Sequence, residues 1–219
     1  MNVQIEDWGR IPIKEALEEQ DRYWARRARE EIPDTIIFAE HEPVYTAGAS
    51  LKNNPEGKQK CFKIDVSKLR APIVDEYRGG LVTYQGPGIL SIYCVFGIKK
   101  ESPSSFAELL ENSALVFLKT YGVKTEKNKR NRGCFIGENK KIASVGFRIS
   151  RRVSTYGFSI SLDPDPKYLE PLIPCGLIGI RLTSLAQELG VEKFSEDAKD
   201  AIKTILSAEM IRRLLELNK

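Results

Sequence analysis

Apolar residues recur at helical spacing in three stretches of the chain. After Pro12, the residues Ile13, Ala16, Leu17, Tyr23 and Trp24 fall on one face, which predicts an amphipathic helix of about five turns, ended by Pro33. Ser105 and Glu108 have the spacing of a capping box. Phe106, Leu109, Leu110, Val116 and Phe117 continue from them as a helix that stops at Gly122. Ala198, Ile202, Ile205, Leu206, Met210 and Leu214 mark a last helix between Glu196 and Leu217, and a shorter one opens at Ser184 with Gln187 and ends at Gly190.

Between the helices, apolar positions run together or alternate, which is the habit of strands. Thr35 to Ala39 reads as a buried strand and Val44 to Thr46 as the next, turning at Gly48. Residues 51–61 are polar, with Pro55 and Gly57, and read as a surface loop; short strands are expected at 62–65, 81–84 and 89–96. Ile142 to Ile149 and Ser154 to Leu162, separated by Arg151 and Arg152, predict a hairpin. Hairpins mixed with helices argue for an α+β fold, a mixed, largely antiparallel sheet flanked by helices. At 219 residues the chain suits one domain, residues 1–219.

No apolar run approaches the ~20 residues that a membrane span needs. Met1 to Trp8 lacks the basic and apolar regions of a secretory signal, so the expected place is the cytoplasm, with no membrane partner. The formal net charge is a mild +4. The basic run from Lys124 to Arg132 has no aromatic residue interleaved for base stacking, so it reads as a solvated loop and nucleic acid is not an expected partner. Cys61, Cys94, Cys134 and Cys175 lie far apart, without a C-x-x-C pair or a neighbouring histidine, which argues against zinc and against disulfides. Cys94 and Cys134 sit in apolar runs and read as core; Cys61 reads as incidental. Cys175 differs because Pro174 and Gly176 flank it as turn formers, and a cysteine on a turn can expose its sulfur.

A thiol with an ordinary pKa of about 8.5 needs a cation or base beside it to react as the thiolate at neutral pH. The one histidine, His41, stands in a Glu40-His41-Glu42-Pro43 turn, so a cysteine–histidine pair could form only through it. Lys141, which opens Lys141-Ile-Ala-Ser-Val-Gly146, is the better partner. A glycine-rich stretch, Arg78-Gly-Gly-Leu-Val-Thr-Tyr-Gln-Gly-Pro-Gly88, lets backbone amides approach a substrate closely. One thiol, one amine and one such loop suit acyl transfer from a thioester. Taken singly, each has an ordinary reading: a turn cysteine, a solvated strand-end lysine, a glycine turn.

Together the motifs carry a resemblance. RGGLVTYQGPG at 78–88, RGCFIGENKKIASVG at 132–146, STYGFSISL at 154–162 and IPCGLIGIRLTSLAQELG at 173–190, with AEHEPVYTAGAS at 39–50, resemble in order those of the lipoyl(octanoyl) transferases. The resemblance implies the fold shared by the catalytic domains of biotin and lipoate protein ligases. It implies transfer of an octanoyl group from octanoyl-acyl carrier protein to a specific lysine of a lipoyl domain, through an acyl-cysteine thioester and without metal, ATP or organic cofactor. The acceptors it implies are the lipoyl domains of 2-oxoacid dehydrogenase E2 subunits and the glycine cleavage H protein. Carried over residue by residue, the nucleophile is Cys175, and the lysine that starts the K-I-x-x-x-G strand is Lys141, not its neighbour Lys140. The substrate path is Arg78, Gly79, Gly80, Leu81, Val82, Thr83, Tyr84 and Gln85, joined by Ser144, Val145 and Gly146 and by Gly157, Phe158 and Ser159.

Two positions depart from the family pattern. Gln85 stands where the pattern has the histidine of Y-H-G-P-G, and Tyr156 stands where it has the histidine before Gly157. Amide and phenol can still donate hydrogen bonds, but neither exchanges a proton near neutral pH, which concentrates acid–base work on Lys141. Two other functions are compatible with such a fold: an ATP-dependent lipoate or biotin protein ligase, which would not need Cys175, and a non-catalytic protein that binds lipoyl domains.

Overall fold

The computed structural model describes residues 2–98, 102–128, 131–176 and 179–217, with the backbone alone for Cys175 and Leu217. In chain order its elements are β1 (Val3–Ile11), α1 (Ile13–Ala28), β2 (Asp34–His41), β3 (Val44–Ala47), α2 (Pro55–Gln59), β4 (Ile73–Asp75), β5 (Val82–Gln85), β6 (Ile89–Val95), α3 (Pro103–Thr120), β7 (Glu126–Lys127), β8 (Gly133–Ile136), β9 (Lys140–Ser150), β10 (Val153–Ser161), α4 (Pro166–Leu169), β11 (Arg181–Leu182), α5 (Leu185–Leu189) and α6 (Glu196–Leu217). Among the described residues, eight strands form one sheet in the order β1-β2-β6-β10-β9-β8-β7, with β11 beside β9, and β4-β3-β5 form a second. In the large sheet β1 runs parallel to β2 and β11 parallel to β9, while the remaining pairs are antiparallel. This is the α+β, largely antiparallel architecture that the sequence predicts.

Strand alternation decides what each face of the large sheet buries. Leu90, Ile92 and Cys94 of β6, with Phe158 and Ile160 of β10, meet Phe106, Leu110 and Phe117 of α3 and the Ile202, Leu206, Met210 stripe of α6. The opposite face is shared. At its β1–β2–β6 end Ile37, Tyr93 and Val95 pack under Ala16 and Trp24 of α1. The second sheet, with its own core of Tyr45, Phe62, Tyr84 and Leu172, accompanies the rest of that face, where the upward residues are small or polar.

Several local expectations hold in detail. The hairpin turns at Arg151 and Arg152, both at positive φ (48° and 61°), as a two-residue turn that follows the twist of its strands. Ser184 Oγ accepts the Gln187 N–H, and α5 ends at Gly190 in the left-handed conformation. Others are corrected. Ser102, not Ser105, caps α3: its Oγ accepts the Ser105 N–H, and Pro103 takes the first helical position. Residues 62–65 form no strand, only a bridge from Phe62 to Leu172, because Phe62 is drawn into the second core. The loop at 51–61 contains α2, opened by the Asn54 side chain accepting the Gly57 N–H. Cys61 is buried at 2% exposure within that second core.

Candidate active site

A trough lies between the upward face of β6, β10 and β9 and the loop that leads into β5. Its floor is built in register. Ser91, Ser159 and Ser144 are cross-strand partners, as are Tyr93, Gly157 and Gly146. Small residues in adjacent rows leave space above the sheet that large ones would fill. The loop can then descend close to it: a methyl on Gly146 would stand 2.9 Å from Gly79 O and 3.2 Å from Arg78 Cδ.

Lys141 sits at one end of this trough, 4% exposed. Its strand is held on both sides, pairing with Phe135 of β8 and Leu182 of β11, and its carbonyl accepts the Thr183 N–H at 3.0 Å. Its Nζ lies 5.5 Å from the centre of the Phe135 ring. Gly133 makes the path of the side chain possible: at φ +129°, a Cβ there would collide with Ala143 O and lie 2.9 Å from Lys141 Cε. Lys140 goes elsewhere, its Nζ bound to the Glu188 carboxylate at 3.1 and 3.2 Å. A bulge where β8 meets β9 interrupts the simple alternation here.

The Cys175 side chain lies outside the described atoms. Its backbone belongs to a single 3₁₀ turn, Pro174–Gly176, closed by the Gly176 N–H donating to Ile173 O at 3.0 Å. The turn is anchored by Ile173 N–H to Cys61 O (2.8 Å). Gly176 takes φ +66°, and a methyl there would touch Leu81 Cδ1 of the trough's roof at 3.4 Å. The turn thus touches the roof of the trough that Lys141 lines.

Arg78 holds the roof. Its Nε donates to Glu76 Oε2 (2.6 Å), one terminal nitrogen to the carbonyls of Gly79 and Leu81 (both 3.1 Å), and the other to Thr46 O and Oγ1 (both 2.7 Å). All five N–H groups of the guanidinium are thus directed into the protein. Tyr156 holds the same loop from below. Its hydroxyl accepts the Tyr77 N–H (3.1 Å), and its own N–H donates to Gln20 Oε1 (3.0 Å). At φ +58° the Tyr156 backbone bears a cost of about 1–2 kcal/mol. Burial, then the Glu76 charge, push its phenol up to about 12 against the opposing Tyr77 N–H.

His41 does not face the trough. It is fully buried; Nδ1 donates to Ile11 O (2.9 Å), so Nε2 accepts from the Tyr93 hydroxyl (2.5 Å). Burial holds its pKa below the usual 6.5. Its place at the end of β2 replaces the turn role expected from sequence. Gln85 Oε1 accepts from Ser91 Oγ at 2.9 Å.

Of the residues expected along the substrate path, all but Gly79 and Tyr84 line the trough. Gly79 braces it from behind, its N–H donating to Phe147 O at 3.1 Å. Tyr84 points away because β5 alternates: its ring stacks on Tyr168 at 5.0 Å in the second core. Sequence reasoning missed Glu76, Ser91 and Tyr93. For the last two the signal existed, since they alternate with Leu90, Ile92 and Cys94; for Glu76 there was none.

The profile of the family described as "Lipoyl protein ligase A/B catalytic domain" matches residues 12–207. The octanoyltransferase of Syntrophobacter fumaroxidans is 31% identical over 213 residues, 95% of this chain and 88% of that one. That of Nitrobacter winogradskyi is 32% identical over 216 residues (92% and 89%). The mitochondrial octanoyl-[acyl-carrier-protein]:protein N-octanoyltransferase of Danio rerio is 31% identical over 185 residues (83% and 80%). Among solved structures, lipoate-protein ligase A bound with ATP superposes with a TM-score of 0.68 at 12% identity, over 97% of this chain and 86% of that one, a likeness of fold alone. With its profile match and these relatives, the chain belongs to the lipoyl protein ligase A/B catalytic-domain family, and within it to the octanoyltransferases.

Proposed function

We propose that the whole chain works as one catalytic domain, moving an octanoyl group from octanoyl-acyl carrier protein to a lysine of a lipoyl domain through a thioester on Cys175. The observation that carries this reading is the approach of the Pro174–Gly176 turn and Lys141 to one trough with a small-residue floor. In the first half-reaction, Lys141 takes the thiol proton as Cys175 sulfur bonds to the thioester carbonyl carbon. The bond to the pantetheine sulfur breaks, and that sulfur leaves with the proton from Lys141. In the second, the acceptor lysine nitrogen attacks the acyl-cysteine; Lys141 takes the amine proton and passes it to the departing Cys175 sulfur. Charge on the carbonyl oxygen is met by backbone amides around Cys175. The Gly176 and Ile173 N–H groups are already given to Ile173 O and Cys61 O and Pro174 has none, so among the described residues of the turn the donor is the N–H of Cys175 itself.

The acceptors in this proposal are E2 lipoyl domains and the glycine cleavage H protein, in keeping with a solved structure from an archaeal lipoylation system, described as a bi-partite lipoate protein ligase and its E2 lipoyl domain from Thermoplasma acidophilum (TM-score 0.67, 12% identity, 97% of this chain and 84% of that one). The proposed place is the cytoplasm, where buried thiols such as Cys94 and Cys134 suit a reducing milieu; the Danio rerio relative is by name mitochondrial. Intact-mass analysis after mixing the protein with octanoyl-acyl carrier protein, with and without ATP, tests the reading. One octanoyl adduct that forms without ATP is expected; acylation from free octanoate that needs ATP would instead mark a ligase.

A further inference from the structure

We infer that Tyr156 closes one end of the trough and thereby sets the length of acyl chain the enzyme accepts. The inference rests on reading the trough as the acyl site. Along β9 the lining runs from Lys141 to Gly146, and along β10 back from Ser159 to Tyr156. Lys141 stands at one end, and the Pro174–Gly176 turn meets the roof at Leu81. Tyr156 stands at the other end, opposite Phe147 and six residues along β9 from Lys141, on the order of 20 Å at about 3.3 Å per residue.

Tyr156 is the lining residue that breaks the rule of its strand. Phe158 and Ile160 of β10 face α3, and plain alternation would send Tyr156 the same way. Its left-handed backbone, φ +58°, instead goes with a side chain that lines the trough. There the hydroxyl receives the Tyr77 N–H at 3.1 Å, so the ring spans from floor strand to roof loop like a strut. Tyr93 stands beside it in the floor, fixed by His41. The polar groups at this end are matched within the protein, Arg78 to Glu76 and Tyr93 to His41, which leaves ring surface to face an apolar tail. An extended octanoyl chain is roughly 9 Å long, since each of its C–C bonds of about 1.5 Å advances only about 1.3 Å along the zigzag. A chain of that size fits between the two ends once the inward side chains take their share, and a much longer one meets the ring.

The test is a competition. Wild-type protein and Tyr156→Gly, Tyr156→Asn and Tyr156→Phe receive octanoyl- and dodecanoyl-acyl carrier protein together, and the acyl groups delivered to a lipoyl domain are counted by mass. Glycine and asparagine both suit the left-handed backbone, so one of the two serves if the other fails to fold. Removing the ring should raise the dodecanoyl-to-octanoyl ratio at least about ten-fold, and Tyr156→Phe should stay within about two-fold of wild type, because added methylenes in a filled pocket are discriminated by factors of this order. An unchanged ratio in a folded ring-less variant overturns the assignment of chain length to Tyr156. Ser159→Leu, which fills the floor between the ends, tests the underlying reading separately: if it leaves octanoyl transfer undiminished, the trough is not the acyl site.

Discussion

The Tyr93 hydroxyl lies 2.5 Å from His41 Nε2, and the other ring nitrogen of His41 is bonded to Ile11 O. Both nitrogens of the chain's one histidine are thereby engaged away from the trough, in a neutral ring. Burial depresses its folded pKa, so its contribution to stability is full above the unfolded value of about 6.5 and declines as pH falls below it, until the folded value is passed. Thermal midpoints measured from about pH 8 to about pH 5 should fall more steeply in wild type than in His41→Gln. The pH profile of kcat/KM should show no limb that belongs to His41; an inflection near about 6.5 that disappears in His41→Gln would move proton transfer from Lys141 to this histidine.

Lys141→Met should lower acyl transfer by about 10²–10⁴-fold, the usual cost of losing a general base. It should also slow iodoacetamide alkylation of Cys175 at neutral pH. Lys140→Met removes only a part-buried pair with Glu188, and should change stability by about 1 kcal/mol and leave the alkylation rate alone. Equal alkylation rates in wild type and Lys141→Met would remove the lysine from the thiol's activation.

Gly133→Ala probes the same lysine from beneath. The added methyl meets Ala143 O and Lys141 Cε on a backbone at φ +129°, where side chains are strained. Acyl transfer should drop and urea stability should fall by about 1–3 kcal/mol, as for overpacking in a dense site. A variant with wild-type turnover would show that Lys141 does not need this path.

Arg78→Met leaves the buried Glu76 carboxylate without its partner. A loss of about 3–5 kcal/mol is expected on removing one member of a buried pair, and the double variant Glu76→Met, Arg78→Met should recover part of it. Urea denaturation of the three proteins checks this; a single-variant loss below about 1 kcal/mol would class the pair with surface ion pairs.

How much of this was legible in the sequence depends on whether a residue's fate is local. The α6 stripe and the Ser184 and Gly190 caps are local, and were read to the residue. The β1 strand was not, because Val3–Ile11 is an edge strand with polar residues on its open face and takes its conformation from pairing with β2. Ser105 matched a capping pattern, but Ser102, followed by Pro103, won the position. In the site, motif resemblance reached most lining residues, yet it could not tell Tyr84, turned into the second core, from Thr83 beside it. Glu76 was hidden because a buried carboxylate is licensed only by Arg78 folding back onto it. The two departures have different fates: Gln85 is tied to Ser91, and Tyr156 is bound to Tyr77 and Gln20 in a strained backbone.

The acyl-enzyme itself is the most direct test of the central claim. Protein treated with octanoyl-acyl carrier protein is freed of donor, digested and mapped, and a second portion is mixed with an apo lipoyl domain. The account predicts one octanoyl group on Cys175, absent in Cys175→Ala, and its passage to a lysine of the lipoyl domain without further donor. An octanoyl group mapped to Cys61, Cys94 or Cys134, or transfer that persists in Cys175→Ala, would contradict it.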